Sequence, residues 1–271
     1  MTDLPVGEDL KRFLDGQGSA VDGALLVARI IDDDAEVEWA RGEIARLAET
    51  IDGFDTSETS ETSETSDTSD AAEAILSRLR AEGFAGVAGR FEIENSSLDW
   101  VLRNRRGIPF SLSVVVMGVA QALGRESMGV NFPQHFLVSV DTTLIDPFRL
   151  EATTEAQCRA WLKQNSIRDG NAFQNANSSD IVLRMLNNIR MLAVGRHDYS
   201  RALEFSDYQL LIVPNAYGLY VDRAEIWMAM GAADMVAHEL QTAIDLAADE
   251  AVRSRLRARL RLIGQTPTTL N

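Results

Sequence analysis

Residues 105–123 read RRGIPFSLSVVVMGVAQAL. The Arg-Arg-Gly run breaks the helix before it. Pro109 suits the first turn of a new helix, where its missing N–H would have no partner in any case. From there to Leu123 nearly every residue is apolar: Val114, Val115, Val116, Met117, Val119, Ala120 and Leu123. A helix that is apolar all round is buried all round. The sequence therefore places one helix at the centre of the fold, starting just after Gly-x-Pro and stopping at Gly124.

Downstream the period changes from helical to alternating. Met128–Phe132, His135–Val140 and Thr143–Ile145 read as short strands, with Asp141-Thr142 as the tight turn between the last two. If paired residues sum to 283 in number, His135 and Asp146 share one face as diagonal neighbours, with backbones ~7–8 Å apart. A slip of one residue would send them to opposite faces.

Upstream, ENSSLDWVLRNR (residues 94–105) holds a Ser96-x-x-Asp99 pattern before Leu98, Trp100, Val101 and Leu102, which reads as a helix start. Ala71–Glu82 is helical, with Ile75, Leu76 and Leu79 as its apolar stripe and Gly83 as its stop. Ala24, Leu25, Ala28 and Ile31 mark one earlier helix, and Trp39, Ile44, Leu47 and Ile51 another. Asp32-Asp33-Asp34 between them is solvated turn chemistry.

The 271 residues carry 26 bases and 41 acids, a formal charge of −15. Such a chain repels phosphate backbones and anionic lipid heads, so nucleic acid and membrane surfaces are not expected partners. No run approaches the ~18 apolar residues of a membrane span, and the start has no secretory pattern. The single cysteine, Cys158, allows no intrachain disulfide. The expected compartment is the cytoplasm. Residues 55–70, DTSETSETSETSDTSD, hold six acids and no apolar residue, so the expectation is a disordered insert. Three scattered histidines and one cysteine call for no metal site, and nothing calls for a cofactor.

From about Asp180 the pattern is helical to the end. Gly195-x-x-Asp198-Tyr199-x-x-Ala202 recurs as Gly231-x-x-Asp234-Met235-x-Ala237, with the glycines 36 residues apart. That is near the ~34-residue period of tetratricopeptide helix pairs. Pro214 sits where that motif ends a second helix, and Asp249 takes its place in the next copy. The organisation read from sequence is thus an N-terminal helical region (1–54), the insert (55–70), a core (71–165) and a tetratricopeptide-like helical region (180–271).

His135 and Asp146 are the candidate site. A histidine held by a carboxylate serves as a general base toward a nucleophile at a nearby helix N-terminus. The order is helix start, then His135 after 26 residues, then Asp146 after 11. RRGIPFSLSVVV, GVNFPQHFLVSV and LIDPF resemble the SirB-type transglutaminase-like proteins, which carry tetratricopeptide-like helices at the C-terminus. ENSSLDWVLRNR belongs to the same likeness and, more weakly, so do the N-terminal helices and RMLNNIRMLAVG. The resemblance implies an α+β fold, a papain-like core with a small antiparallel sheet between N-terminal helices and a helical tail. Catalytic members have Gly-x-Cys at the helix start, then His, then Asp. Here Gly107 matches the glycine, His135 the base and Asp146 the orienting acid, while the nucleophile position falls on Pro109.

Proline offers no thiol. Ser111, two residues on, points about 200° away around the helix and reads as a capping hydroxyl. Cys158, beside Trp161 and Leu162, reads as a small buried hydrophobe. Arg103, Arg105 and Arg106 adjoin the expected pocket; they suit either an anion or the helix C-terminus they follow. The leading reading is a non-catalytic transglutaminase-like protein that acts through an unidentified protein partner, with a regulatory role added by the resemblance. One alternative is an acyl-transfer or peptide-bond enzyme using His135 and Asp146 with an unconventional nucleophile. The other is a module binding a small molecule or peptide in a vestigial cleft.

Overall fold

The computed structural model describes residues 4–51, 67–168, 170 and 172–264, without the side chains of 17, 67–70 and 264. The chain forms two compact units. One is Glu8–Met185; the other joins Met1–Gly7 to Leu186–Asn271.

The first unit opens with α1 (Gly7–Arg12), α2 (Ala20–Ile31), α3 (Val37–Glu49) and α4 (Asp67–Ala81). Ser19 caps α2: its Oγ accepts the Asp22 N–H, and Asp22 accepts the Ser19 N–H at 2.7 Å. Burial pushes the Asp22 carboxyl up, but these bonds and Arg41 outweigh it and leave it below the usual range. The backbone of α4 begins at Asp67 rather than Ala71, so the last four residues of the acidic stretch are helical. Asp, Ser and Thr suit a helix start. The rest of that stretch, 55–66, lies outside the described residues.

Next come β1 (Ala85–Gly86), α5 (Leu98–Asn104), β2 (Arg106–Gly107) and α6 (Pro109–Ala122). β1 and β2 form a small parallel pair. Ser97, not Ser96, precedes α5 and donates its hydroxyl to Asp99. Residues 111–120 of α6 are all buried, as an all-apolar helix requires. α2, α3, α4 and α5 pack on it. A Cβ at Gly118 would lie 2.9 Å from Val21 Cγ2 and 3.1 Å from Ile44 Cδ1, so small size at that position permits the approach of α2 and α3. Gly124 ends the helix at φ 69°, in the left-handed region.

Five antiparallel strands follow: β3 (Ser127–Phe132), β4 (His135–Val140), β5 (Thr143–Asp146), β6 (Glu151–Thr153) and β7 (Gln174–Ala176), in the order β6-β5-β4-β3-β7. α7 (Glu155–Gln164) lies between β6 and β7 in the chain. Val138 pairs with Ile145, Ser139 with Leu144 and Val140 with Thr143, which is the register that sums to 283. Pro133 and Gln134 turn β3 into β4, and Gln134 takes φ 63°. α6 covers one face of the sheet: the ring of Phe110 lies 4.7 Å from that of Phe136. α7 covers the other, where Val130, Phe132 and Leu137 pack with Cys158 and Leu162. The unit is wider than 71–165, because the N-terminal helices enclose α6 and β7 completes the sheet.

The division between the units falls inside α8 (Ser178–Gly195). The second unit continues with α9 (Tyr199–Ile212), α10 (Tyr217–Ala229), α11 (Ala233–Leu246) and α12 (Glu250–Gly264). Ala224, Val236, Leu240, Ala243, Ile244 and Leu256 form its apolar core around α10–α12. The nearly buried Arg223 bridges helices, 2.6 Å from Asp207 and 2.9 Å from Glu239. Asp249 accepts the N–H groups of Ala251 and Val252, which hold its carboxyl below the usual range. It opens α12 instead of closing a helix as Pro214 does. Among the described residues no helix is long and apolar enough to cross a membrane.

Candidate functional site

His135 is the first residue of β4 and Asp146 the last of β5. Side chains alternate along a strand, and the observed register puts both on the face that α7 covers. Together they line a cleft of about 240 Å³ with Phe132, Arg149, Cys158 and Trp161. The sequence expectation of a shared face therefore holds. Two further expectations do not.

First, no hydrogen bond joins His135 to Asp146 among the described residues. Oδ1 of Asp146 accepts the N–H groups of Phe148 at 3.0 Å and Arg149 at 3.2 Å, closing the turn after β5. Its Oδ2 lies 3.7 Å from Arg149 Nε. The His135 ring is held by aromatic contact, edge-on to Trp161 at 4.7 Å and 6.1 Å from Phe132. Diagonal residues on a sheet start ~7–8 Å apart, and here each side chain has found a nearer partner.

Second, the pair does not face the start of α6. Pro109 opens that helix, but the cleft is lined by no residue of α6. Phe110 meets Phe136, whose side chain leaves β4 on the face opposite to His135. Ser111 is fully buried; its hydroxyl accepts the Ile108 N–H at 3.0 Å and donates to the Asn95 carbonyl at 2.7 Å. It is a structural cap. Ser113 donates to the Pro109 carbonyl at 2.6 Å.

Cys158 is buried in the α7 core yet borders the cleft. Burial pushes its thiol up; Thr153 Oγ1, 3.7 Å from the sulfur, pulls the other way, and the charge of Asp146 adds to the rise. The basic run is occupied internally. Arg103 pairs with Glu36 and lies over Trp39. Arg105 takes φ 57° at the end of α5 and reaches Leu102 O, Glu43 and Glu82. Arg106 donates to the Gly83 carbonyl at 2.6 Å. Hydrogen bonds from Arg46 hold Glu43 and Glu82 below the usual carboxylate range, as expected beside guanidinium groups.

The Asp-Pro-Phe segment has a structural job in this fold. Asp146 closes the turn, and Phe148 lies over β1, where a Cβ on Gly86 would sit 2.4 Å from its ring. Asp146→Ala is expected to lower the free energy of unfolding in urea by about 1–2 kcal/mol. Asp146→Asn keeps the Oδ1 acceptor and is expected to lose less. Equal losses in the two variants would show that the charge, not the turn, is what matters. The sequence reading missed Trp161 as the partner of His135. It also passed over Thr154-x-x-Gln157, a legible capping box that opens α7 and fixes its register on the sheet. Among the described residues no group of three or more His, Cys, Asp or Glu is arranged to hold a metal ion.

The family model described as the transglutaminase-like superfamily matches residues 39–187, a span that contains α6, the sheet and the cleft. A UPF0162 protein of Vibrio cholerae is 26% identical over 206 residues, covering 72% of this chain and 74% of its own length. A UPF0162 protein of Xylella fastidiosa is 28% identical over 168 residues, covering 58% and 60%. Protein SirB1 of Salmonella typhimurium is 21% identical over 199 residues, covering 70% and 74%. No solved structure matches. With more than half of its length matched, and with SirB1 and the UPF0162 proteins among its relatives, this chain belongs to the transglutaminase-like superfamily, in its SirB type.

Proposed function

We propose that this chain uses the transglutaminase-like scaffold to hold a protein partner, without acyl transfer. The observation that carries the reading is Pro109 at the first position of α6, where the enzyme pattern puts cysteine. The surrounding geometry supports it: Phe110 closes down on Phe136, and Asp146 is engaged in a turn. In this reading the C-terminal helices are tetratricopeptide-like and add partner surface, the role is regulatory, and the compartment is the cytoplasm. The test treats the full chain with serine- and thiol-directed acylating probes and maps adducts by mass spectrometry, beside an affinity pull-down. The expected result is no adduct at Ser111 and recovery of a protein partner in a fixed ratio. A His135-dependent adduct at Ser111 would sink the reading.

One observation favours a second reading, a hydrolase or acyl-transfer enzyme with an unconventional nucleophile. Cys158 borders the same cleft as His135 and Asp146. A buried, neutral thiol is a poor nucleophile, and the rise in its pKa argues against this role. The same probes decide: an adduct at Cys158 that vanishes in His135→Ala would establish it.

A further inference from the structure

α12 departs in charge from the rest of the molecule. Residues 250–264 hold five arginines and one glutamate, in a chain of formal charge −15. The arginines stand at 253, 255, 257, 259 and 261. At about 100° per residue, alternate positions fall into two rows along the helix. The inner side of α12 is occupied: Leu256 is buried in the core of α10–α12, and Val252, Leu260 and Ile263 pack against it. On the outer side Ala251, Ser254, Ala258 and Leu262 are exposed between the two rows, and Leu262 keeps 68% of its surface in water.

Each row, 255/259 and 253/257/261, keeps one arginine outside an ion pair. Arg253 and Arg257 both pair with Glu250, and Arg259 pairs with Glu225. Arg255 and Arg261 form no ion pair among the described residues; Arg255 donates its Nε–H to the Ala251 carbonyl, and its charge helps to hold the Asp249 carboxyl down. Met228 and Met230 are exposed, and Trp227 next to them packs on the same core as Ile263.

We infer that the outer face of α12 docks an acidic amphipathic helix of a protein partner. Leu262 and the small residues receive the partner's apolar stripe, and Arg255 and Arg261 receive carboxylates on its flanks. The shape of the charge excludes longer polyanions. Fifteen residues of helix span about 22 Å, and a duplex or a membrane would overrun that length onto the rest of the unit, where residues 186–249 hold four arginines against nine acids. Fields in physiological salt fade over about 8 Å, so a short acidic segment experiences the arginines rather than the net charge. The inference extends the reading of this chain as a partner-binding protein. Its test measures binding at α12 directly, so it stands or falls separately from the acylation experiment at Ser111 and Cys158.

The experiment uses the full chain and a fluorescein-labelled synthetic helix of about 20 residues, with leucine and alanine along one stripe and glutamate on both flanks. Binding is followed by fluorescence anisotropy. The expected result is saturable binding that weakens as salt rises and falls roughly tenfold in Arg255→Glu/Arg261→Glu. The alanine pair, Arg255→Ala/Arg261→Ala, is expected to lose less, and the thermal midpoint is expected to hold in both variants. Four results would overturn the inference. These are no saturable binding, equal binding by the variants or by a lysine-for-glutamate peptide, tighter capture of duplex DNA or phosphatidylserine vesicles, or binding seen only after deletion of residues 55–66. The last would make the chain's own acidic stretch the occupant.

Discussion

Expressed alone from residue 180 onward, the C-terminal helices are expected to show helical circular dichroism but no cooperative thermal transition. The second unit is built from both ends of the chain. Val6 is 1% exposed, and its N–H points to the Tyr208 hydroxyl at 3.4 Å. A Cβ on Gly7 would lie 3.6 Å from Leu211 Cδ1, so this segment runs along α9. A fragment starting at residue 180 lacks it. Burying one valine contributes about 1.5–3 kcal/mol, a large share of the ~5–15 kcal/mol that separates a folded domain from its unfolded chain. The fragment also begins with Ile181, Val182 and Met185, all fully buried in the intact protein and now exposed to water. Scanning calorimetry and light scattering check the result. A sharp transition in a monomeric fragment would show that α9–α12 close their own core without Val6.

The strands were legible because their side chains alternate and their turns carry the right residues. His135–Val140 has one run of inward residues on each face, and Asp141 opens the next turn at φ 50°. The central helix was legible because a fourteen-residue segment without a polar side has only one place to go. β1, β2, β6 and β7 were not legible. They are two or three residues long, and GlnAsnAla at 174–176 has no apolar alternation to read. Their strand character comes from neighbours, through the pairing of β7 with β3, of β6 with β5 and of β1 with β2.

At the site, sequence spacing gave the face shared by His135 and Asp146 but not what each touches there. Register follows from parity along two strands, a local property. The hydrogen bonds of Asp146 depend on the turn that follows, where two backbone N–H groups compete with a distant imidazole and win by proximity. Which layer covers which face depends on the path of α7, and no local pattern in β4 encodes that. The expectation that His135 faces α6 failed for this reason. The basic run at 103–106 was ambiguous in sequence for the same cause: its carboxylate partners Glu36, Glu43 and Glu82 lie more than twenty residues away.

Pro109→Cys is expected to create a thiol that alkylates at least about tenfold faster at pH 7 than Cys158. The substitution is compatible with the backbone, because the first N–H of a helix has no partner within the helix. The first N–H groups of a helix have no partner within it, and its N-terminus is the positive end of the dipole; both favour a thiolate at the start of α6. Cys158 has the opposite environment, buried, with its pKa raised. Pro109 itself is only half-buried, so reagent reaches it. Iodoacetamide rates measured against pH in a Cys158→Ser background isolate the new thiol, and its inflection is expected below the ordinary cysteine value of about 8.5. His135 decides what the result means. It lies on the α7 face of the sheet, so His135→Ala is expected to leave the rate at position 109 unchanged. A fall in that rate would mean that the imidazole does reach the helix start, and that one proline is all that separates this scaffold from its family's triad. An unchanged rate means that a thiol at position 109 gains no help from His135, whose ring is turned toward Trp161 and the cleft.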